Sequence, residues 1–375
     1  MIKKILKGFG KLLLAFIVLI LVTGTLFINL SPEFGGDPTE TDVAAFEKFD
    51  YYEDGSFQNL VSTSMDMSFS SIIELIGDQL EGTPNSAPDF EVPQLKVDSL
   101  ALVKTKTLNK VIWFGHSAVL LQLGDKNILF DPMLGDVPAP HPLLGPGRYY
   151  DELPIEIEAL PVIDYVFISH DHYDHLDMGS IEKLKAKTKQ FYVPVGVGAH
   201  LKAWGVAEEK IHEMAWWDET TSENLFIAFT PSRHFSGRGL TRNTTLWGSW
   251  VVKADSQNVY FSGDGGYGPH FKAIGEKYGP FDFAMLECGQ YNEKWAQIHM
   301  MPEETAQAGL DLNAKAMMPI HWGAFTLALH SWSDPVVRVQ AKAKELNLKM
   351  TTPKIGEPVF LDGLKYPIAE WWVNN

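Results

Sequence analysis

Cysteine is almost missing from this chain of 375 residues, which has a single thiol at Cys288. One thiol cannot form an internal disulfide, and it also excludes a zinc site that is built from several thiolates. A G-x-S-x-G sequence, the nucleophile elbow of many serine hydrolases, is missing as well. The sequence therefore indicates neither a disulfide-stabilised scaffold nor a hydrolase with a side-chain nucleophile.

Basic residues are scarce too, since 31 Lys and Arg stand against 47 Asp and Glu and give a formal net charge of −16. No run of Lys or Arg occurs after residue 11. Proteins that bind nucleic acid usually carry a basic stripe, because phosphate contacts dominate their affinity. We therefore expect no nucleic acid among the partners of this chain.

Charged side chains are absent from residues 12–30, and four lysines precede this apolar stretch within the first eleven residues. A helix rises about 1.5 Å per residue, so the stretch is nearly as long as a hydrocarbon core of roughly 30 Å. Lysines on this side favour a cytoplasmic N-terminus. We expect residues 1–30 to be a single-span membrane anchor, with the catalytic domain on the non-cytoplasmic side. A cleaved signal peptide is the alternative, although no A-x-A-like site follows.

The remaining chain divides by its pattern into two parts. Residues 31–107 are predicted to be a connector and N-terminal extension, because "SPEFGGDPTETD" and "EGTPNSAPDFEVP" are rich in turn-forming residues. Between these two stretches, residues 69–80 form an amphipathic helical pattern that is expected to pack on the main domain, with contact to a bilayer as the alternative. From residue 108 to residue 375, apolar runs alternate with helical patterns, which predicts an α/β catalytic domain with mostly buried strands.

Four of the predicted strands end at residue types that bind metals. "YVFIS" leads to His170, "LFIAFTPSR" to His234, "NVYFSG" to Asp264 and "AMMPI" to His321. Sites commonly form outside the carboxyl ends of sheet strands, where rigid elements bring side chains into one crevice. We therefore expect these four side chains to lie close together.

The stretch "SHDHYDHLD" concentrates potential ligands at the first of these strand ends. In an extended strand the side chains of alternate residues lie on the same face, so His170 and His172 can direct their imidazoles to one point. A turn after Tyr173 brings Asp174 and His175 to a second point nearby. Imidazole and carboxylate are suitable ligands for zinc, and seven ligands are too many for one tetrahedral ion. The pattern thus predicts two ions that share one carboxylate.

These motifs resemble those of the metallo-β-lactamase superfamily. "HDHYDH" matches its H-x-H-x-D-H motif, and "PSRHFSGRG", "YFSGDGGYGPHF" and "MPIHWGAF" resemble its later ligand motifs in the same order. Within the superfamily, "WFGHSAVLLQ", "GDGGYGPHFKAIGEKYGPFD" and "HMMPEET" are most similar to N-acylphosphatidylethanolamine-hydrolysing phospholipases D. The similarity covers about residues 108–350. It implies a four-layered αββα sandwich with a dinuclear zinc site.

The resemblance also implies a division of the ligands between two Zn²⁺ ions. One ion would be bound by His170, His172 and His234, the other by Asp174, His175 and His321, and Asp264 would bridge the two. His299 matches a position near the substrate phosphate, with a surface histidine as the plainer interpretation, and His116 is expected to support the ligands without binding metal. Of these residues, we expect catalysis to depend on Asp174, Asp264 and His299.

The function that follows is a zinc-dependent, phospholipase D-like phosphodiesterase that hydrolyses N-acylphosphatidylethanolamine-type glycerophospholipids through a metal-bound hydroxide. The expected partners are a phospholipid substrate and the membrane, and a homodimer is left open. Arg233 and Arg238 flank His234 and are interpreted as solvated loop residues, with a phosphate contact as the alternative.

Other functions remain open at this point. A lactonase or ester hydrolase of the ascorbate-6-phosphate lactonase-like branch would use the same chemistry on a carbonyl. A membrane-anchored metal-binding protein, a dinuclear iron redox protein and a β-lactamase are further alternatives, because a fold does not fix a function.

Overall fold

Two seven-stranded sheets lie at the centre of the molecule, in a computed structural model that describes residues 2–66, 68–254, 257–363 and 365–373. The described strands are β1 (Tyr52–Glu53), β2 (Ser56–Phe57), β3 (Lys110–Trp113), β4 (Val119–Leu123), β5 (Lys126–Phe130), β6 (Ile163–Phe167), β7 (Thr188–Pro194), β8 (Ile211–Met214), β9 (Glu219–Ser222), β10 (Leu225–Thr230), β11 (Ser249–Ala254), β12 (Gln257–Phe261), β13 (Phe283–Glu287), β14 (Ala316–Ile320), β15 (Lys349–Met350) and β16 (Pro358–Phe360).

Helices flank the sheets and precede them along the chain. The described α-helices are α1 (Ile2–Leu30), α2 (Glu40–Phe46), α3 (Phe69–Glu81), α4 (Ser99–Lys104), α5 (Met178–Leu184), α6 (Gly198–Ala203), α7 (His270–Tyr278), α8 (Pro302–Asp311) and α9 (Asp334–Glu345). Several begin at side chains that satisfy free backbone amides, as when Asp177 accepts the amide of Ser180 at the start of α5. The helical patterns that the sequence predicts between the apolar runs after residue 108 are confirmed by α5, α7, α8 and α9.

The strand order is β16-β3-β4-β5-β6-β7-β8 in the first sheet and β15-β14-β13-β12-β11-β10-β9 in the second. Strands β5 to β8 run parallel to one another, as do β12 to β15. Two antiparallel pairings, β10 with β11 and β11 with β12, make β10 point the same way as β12. Each sheet therefore has one edge at which the carboxyl ends of several strands meet.

Successive side chains along each strand face opposite sides of its sheet, one towards the other sheet and the next towards the helices outside. In β5, Ile128 and Phe130 pack in the cluster between the two sheets, whereas Leu129 packs with helices α5 and α6 on the outer face. In β13, Met285 faces the other sheet and Leu286 packs with α7, α8 and α9. A strand with both faces buried reads as a continuous apolar run, as these do. The predicted four-layered αββα sandwich is confirmed.

Helix α1 comes before the sandwich, and its residues Leu6–Leu30 are long and apolar enough to cross a membrane. A membrane anchor and a signal sequence share this property. The helix includes the lysine-containing N-terminal segment, so it starts before the uncharged stretch that begins at residue 12.

The segment between α1 and residue 108 packs against the sandwich in most places, and Phe46, Phe57 and Val92 belong to the cluster between the sheets. Helix α3 is the exception, because its apolar side chains stay exposed, with Phe69 81% and Leu80 83% accessible. The expectation that this apolar face packs on the main domain is therefore wrong. The domain boundaries at residues 30 and 107 stay predictions.

Candidate metal centre

Strands from both sheets deliver histidines and aspartates to one crevice. His170 follows β6 of the first sheet, and His234, Asp264 and His321 follow β10, β12 and β14 of the second. Among the described residues, groups of potential ligand atoms lie within 4.8 Å of one another at this edge. The convergence that was inferred from the strand ends is thus present in the structure.

The first of these groups consists of His170, His172 and His234. Nε2 of His170 lies 2.9 Å from Nδ1 of His172, and Nε2 of His234 lies 3.3 Å from the same atom. Nitrogens bound to one tetrahedral zinc at about 2.0–2.1 Å stand roughly 3.4 Å apart. These two distances are close to that spacing, and all three residues have ligand atoms within 4.8 Å of one another, so the group fits the ligands of a single small ion.

The second group brings together Asp174, His175, His321 and also His116. Oδ2 of Asp174 lies 3.5 Å from Nε2 of His175 and 4.0 Å from Nε2 of His321. Oδ2 of Asp174 also lies 2.9 Å from Nε2 of His116. This last hydrogen bond fits the supporting role expected for His116, since it fixes the orientation of the carboxylate.

Asp264 lies between the two groups. Its Oδ2 atom is 4.0 Å from Nε2 of His170, 3.9 Å from Nε2 of His234 and 3.1 Å from Nε2 of His175. Its Oδ1 atom is 3.1 Å from Nδ1 of His321. One carboxylate thus approaches members of both groups, which is the geometry required of a bridging ligand.

Three buried atoms in this crevice have no hydrogen-bond partner, namely Nδ1 of His116, Nε2 of His175 and Oδ1 of Asp264. A buried polar atom without a partner costs free energy, so such atoms need a reason to be there. Burial would lower the pKa of His175, but Asp264, Asp174 and Asp131 together hold that pKa well above its usual range. The crevice therefore favours positive charge, and its residues fit metal cations.

The imidazoles of the first group favour their neutral form. Burial and the neighbouring imidazoles hold the pKa of His170 and of His234 well below the usual range, and burial lowers that of His172 to about 4. Neutral imidazole is the form that binds a metal. Asp174 stays ionised, because His175 and the hydrogen bond from His116 outweigh its burial and hold its pKa well below the usual range.

Asp131 supports both groups and was not identified from the sequence. Its carboxylate accepts the amide and the hydroxyl of Ser169 at 2.7 and 2.6 Å, and its Oδ2 atom lies 2.7 Å from Nδ1 of His175. The hydroxyl of Ser169 lies 2.9 Å from Nδ1 of His170. Because Asp131 directly follows β5, the strand-end rule that identified His170 also applies to it.

Glu287 was missed in the same way, since it is the last residue of β13. Its Oε1 atom lies 2.9 Å from Nδ1 of His299, and its Oε2 atom accepts the amide of Met300 at 3.0 Å. Burial raises the pKa of Glu287 well above its usual range, and burial lowers the pKa of His299. His299 is thus not a surface histidine, because it lies in the crevice beside His234 and His321.

His116 and His321 have backbone conformations that are uncommon for residues other than glycine, with φ angles of +53° and +68°. The amide of His321 donates to the carbonyl of His116 at 2.9 Å. Strained backbone of this kind is typical of functional sites.

The two arginines beside His234 do not match the solvated interpretation. Arg238 is only 6% exposed and donates to the carbonyls of Asp171 and Leu176, both at 2.7 Å. Arg233 donates to the carbonyl of Ser62 at 2.7 Å. Arg238 therefore fixes both ends of the loop that carries the first motif.

A cavity of about 200 Å³ opens next to the histidines. Its lining comprises Met65, His172, Asp174, Phe235, Asp264, Gln290, Trp295, Ile298, His299, His321 and Leu327. Trp295 and Leu327 also line a neighbouring groove of about 370 Å³, together with Leu75 and Gln79 of α3. Trp295 and Leu327 thus lie between the metal side and a groove whose lining mixes apolar side chains with polar ones such as Thr83, Ser86 and Thr326.

Comparison with known proteins gives consistent results. A model described as "Beta-lactamase superfamily domain" matches residues 126–322. An uncharacterized protein of Mycobacterium tuberculosis is 38% identical over 339 residues, which cover 88% of this chain and 89% of that protein. N-acyl-phosphatidylethanolamine-hydrolyzing phospholipase D 1 of Caenorhabditis elegans is 32% identical over 247 residues, or 62% of this chain and 68% of the worm protein.

Among solved structures, isothiocyanate hydrolase from Delia radicum gut bacteria has the same fold, with a TM-score of 0.54 at 21% identity over 67% of this chain and 98% of that one. The resemblance found in the sequence motifs is thereby confirmed. The chain belongs to the metallo-β-lactamase superfamily, as a metal-dependent hydrolase with N-acyl-phosphatidylethanolamine-hydrolysing phospholipases D among its relatives.

Proposed function

We propose that this protein is a dinuclear zinc phosphodiesterase that cleaves N-acylphosphatidylethanolamine-type glycerophospholipids into a phosphatidic acid and an N-acyl amino alcohol. The observation that carries the proposal is the position of Asp264, whose carboxylate approaches both groups of histidines. The 32% identity to phospholipases D of the worm and of yeast supports the substrate class.

In this proposal His170, His172 and His234 would hold one ion, Asp174, His175 and His321 would hold the other, and Asp264 would be shared by both. When bound, the two cations lower the pKa of water to about 7 and offset the negative charge of a phosphodiester. The protein contributes the spacing of the ions, because the ligands stand on rigid strand ends.

His299 is proposed to donate a hydrogen bond to the phosphate or to protonate the leaving oxygen. A neutral Glu287, which its raised pKa favours, donates a hydrogen bond to Nδ1 of a neutral His299. The ring proton of His299 then lies on Nε2. This nitrogen is available on the side of the cavity that His299 shares with Asp264 and His321. If Nε2 gave its proton to the leaving oxygen, Glu287 would pass its own proton to Nδ1 and become a carboxylate, so His299 would stay neutral.

The shape of the site is consistent with a lipid substrate. The cavity beside the histidines shares Trp295 and Leu327 with the larger groove beside α3. A phosphodiester held at the metal end would direct an acyl chain along these apolar side chains, which provides favourable burial for the chain. Retention of α1 as a single-span anchor, with the sandwich on the non-cytoplasmic side, completes the proposal, because an anchored enzyme meets lipid head groups at high local concentration.

The test is metal content together with hydrolysis of a substrate panel by the full-length protein. The panel contains N-acylphosphatidylethanolamine, phosphatidylcholine and acyl lactones. We expect about two zinc ions per chain and turnover of the first substrate above the other two. Turnover of lactones alone would remove the phosphodiesterase and favour an ester hydrolase.

A further inference from the structure

The end of α1 is attached firmly to the catalytic domain. Here the residues that follow the helix, 31–36, are called the post-span segment. The indole N–H of Trp204 donates to the carbonyl of Pro32 at 2.7 Å, and the guanidinium of Arg238 donates to the carbonyl of Glu33 at 2.6 and 2.9 Å. The post-span segment is therefore not a free linker, and the end of α1 has a fixed place on the domain.

That place is next to the metal centre. The ring of Phe34, in the post-span segment, packs edge-on against Tyr173, with ring centroids 6.2 Å apart. Tyr173 stands between the proposed ligands His172 and Asp174. The ring of Tyr173 also lies under Arg238, whose guanidinium carbon is 4.0 Å from its centroid. The strand-end edge that carries the ligands therefore adjoins the point where α1 ends.

A second element reaches the same point, the proline loop of residues 137–147, "VPAPHPLLGPG". The ring of His141 in this loop lies 6.3 Å from the ring of Phe27, at an interplanar angle of 75°. Phe27 lies three residues before Leu30, which at about 1.5 Å per residue is one turn inside the helix. The proline loop thus lies beside the last turn of α1 and not beyond its end.

The tip of the proline loop is apolar and exposed. Leu143 is 87% and Leu144 is 62% accessible, and residues 137–147 contain no Asp, Glu, Lys or Arg. An exposed apolar pair in a stretch without charged side chains is suited to contact with an apolar partner outside the domain.

The backbone of the tip is suited to an apolar environment. The amide of Leu144 donates to the carbonyl of His141 at 2.9 Å, and the amide of Leu143 donates to Nδ1 of His141 at 3.2 Å. Pro138, Pro140, Pro142 and Pro146 have no amide hydrogen to satisfy. Since an unpaired N–H is costly in lipid, the prolines and these paired amides lower the cost of taking the loop out of water.

We propose that the proline loop inserts Leu143 and Leu144 into the same bilayer that α1 crosses, as a second membrane contact that fixes the orientation of the catalytic domain. The inference rests on the proposed anchoring by α1. The two contacts lie on the edge that carries the metal ligands, so together they turn the metal cavity towards the lipid surface. The partner of this surface is the lipid itself, since a bilayer around the last turn of α1 necessarily reaches His141.

The experiment uses the full-length protein in phosphatidylcholine vesicles, with an environment-sensitive fluorophore on one introduced cysteine. Cys288 is fully buried, and burial raises the pKa of its thiol well above the usual range, so the native cysteine stays unlabelled. Leu143→Cys reports on the loop and Leu14→Cys on the middle of α1. Val162→Cys is the matched control, because this 56% exposed apolar residue precedes β6 at the opposite end from the ligands.

The fluorescence of each label is then compared in vesicles with and without lipids that carry a quencher in the acyl chain, which shows whether residue 14, 143 or 162 lies in the bilayer. We expect the labels at residues 14 and 143 to lose at least about half of their emission, the first inside the hydrocarbon core and the second roughly 5–10 Å into the interface. The label at residue 162 is expected to be unaffected. Quenching at residue 14 without quenching at residue 143 overturns the docking of the loop and leaves the anchor intact. A blue shift at residue 143 that does not respond to quencher lipids indicates a protein partner and also overturns the proposal. Absence of quenching at residue 14 removes the anchor and this inference together, while the hydrolase proposal is judged by its own assay.

Discussion

Oε1 of Glu287 lies 2.9 Å from Nδ1 of His299, beside the proposed metal ligands, and Glu287 is fully buried whereas the His299 side chain is 14% exposed. Burial favours the neutral form of each residue, since it raises the pKa of Glu287 and lowers that of His299. In this state the glutamic acid is the hydrogen-bond donor and the imidazole ring carries its own proton on Nε2. The pair thus defines which ring nitrogen can donate to a substrate.

Glu287→Gln is expected to keep most of the activity, because the amide of glutamine can also donate to Nδ1 of His299. Glu287→Leu removes the donor and is expected to reduce kcat/KM for the phospholipid by roughly 10–100-fold, as is typical for a group that orients a functional histidine. The measurement is kcat/KM as a function of pH for both variants. A steep loss in Glu287→Gln would contradict a neutral glutamic acid and indicate that the carboxylate charge is what His299 requires.

Asp264→Asn is expected to release one of the two metal ions and to reduce the rate by roughly a hundredfold or more, because the bridging charge is lost. Metal content by elemental analysis and the hydrolysis rate are measured on the same sample. Asp125→Asn is the control, since Asp125 lies in an exposed hairpin turn with φ of +62°, a conformation that Asn adopts readily. Unchanged metal content and rate in Asp264→Asn would refute the bridging role.

Asp131→Asn is expected to weaken metal binding by about 10–100-fold while the fold stays intact, because Asp131 orients His175 and, through Ser169, His170. Competition with a chelator gives the affinity, and circular dichroism checks the fold. The exposed Asp136, changed to Asn, serves as the comparison. Equal zinc affinities of Asp131→Asn and the unaltered protein would show that Asp131 has no part in orienting the ligands.

Asp164 lies at the opposite end of the strands from the metal ligands, and it is expected to make the free energy of unfolding depend on pH. Burial works to raise the pKa of Asp164, but hydrogen bonds from Lys189, the Asn127 amide and Lys106 outweigh it and hold that pKa below its usual value. A carboxyl whose pKa is lower in the folded state stabilises the fold above its unfolded pKa of about 3.9, and this contribution disappears as the pH falls through the folded value.

Asp164→Asn is therefore expected to lower the free energy of unfolding by about 1–3 kcal/mol at pH 7, and the difference from the unaltered protein should shrink below about pH 3.9. Denaturant unfolding at both pH values measures it. Glu152→Gln, which breaks an exposed ion pair with Lys96, is expected to have no measurable effect because water screens this pair. A difference for Asp164→Asn that persists unchanged at low pH would mean that the charge is not responsible.

The sequence was informative wherever a pattern repeats. Buried strands read as continuous apolar runs, and histidines placed directly after them predicted the crevice, because chain direction fixes where a strand end lies. The same rule would have identified Asp131 and Glu287, but a lone acid after a strand is common and has no distinctive spacing. Only the partner atoms, Nδ1 of His175 and Nδ1 of His299, show what these acids do.

Other features depend on contacts between residues far apart in the chain. The buried role of Arg238 requires the post-span segment, about 205 residues earlier in the chain, to lie against the first motif. An amphipathic helix usually packs its apolar face on its own domain, but the apolar face of α3 is exposed. The sequence periodicity of a packed helix and of an exposed one is the same, so the periodicity could not distinguish them. For such features, sequence pattern limits the alternatives and tertiary contacts decide between them.

The division of the ligands between the sheets has a further consequence. His170, His172, Asp174 and His175 belong to the first sheet, whereas His234, Asp264 and His321 belong to the second, so each proposed ion would join both halves of the sandwich. Metal binding would then act as a cross-link, since ions that bind only the folded chain stabilise it by mass action. The supply of the metal in the cell would accordingly influence how long each molecule survives, and not only how fast it turns over its substrate.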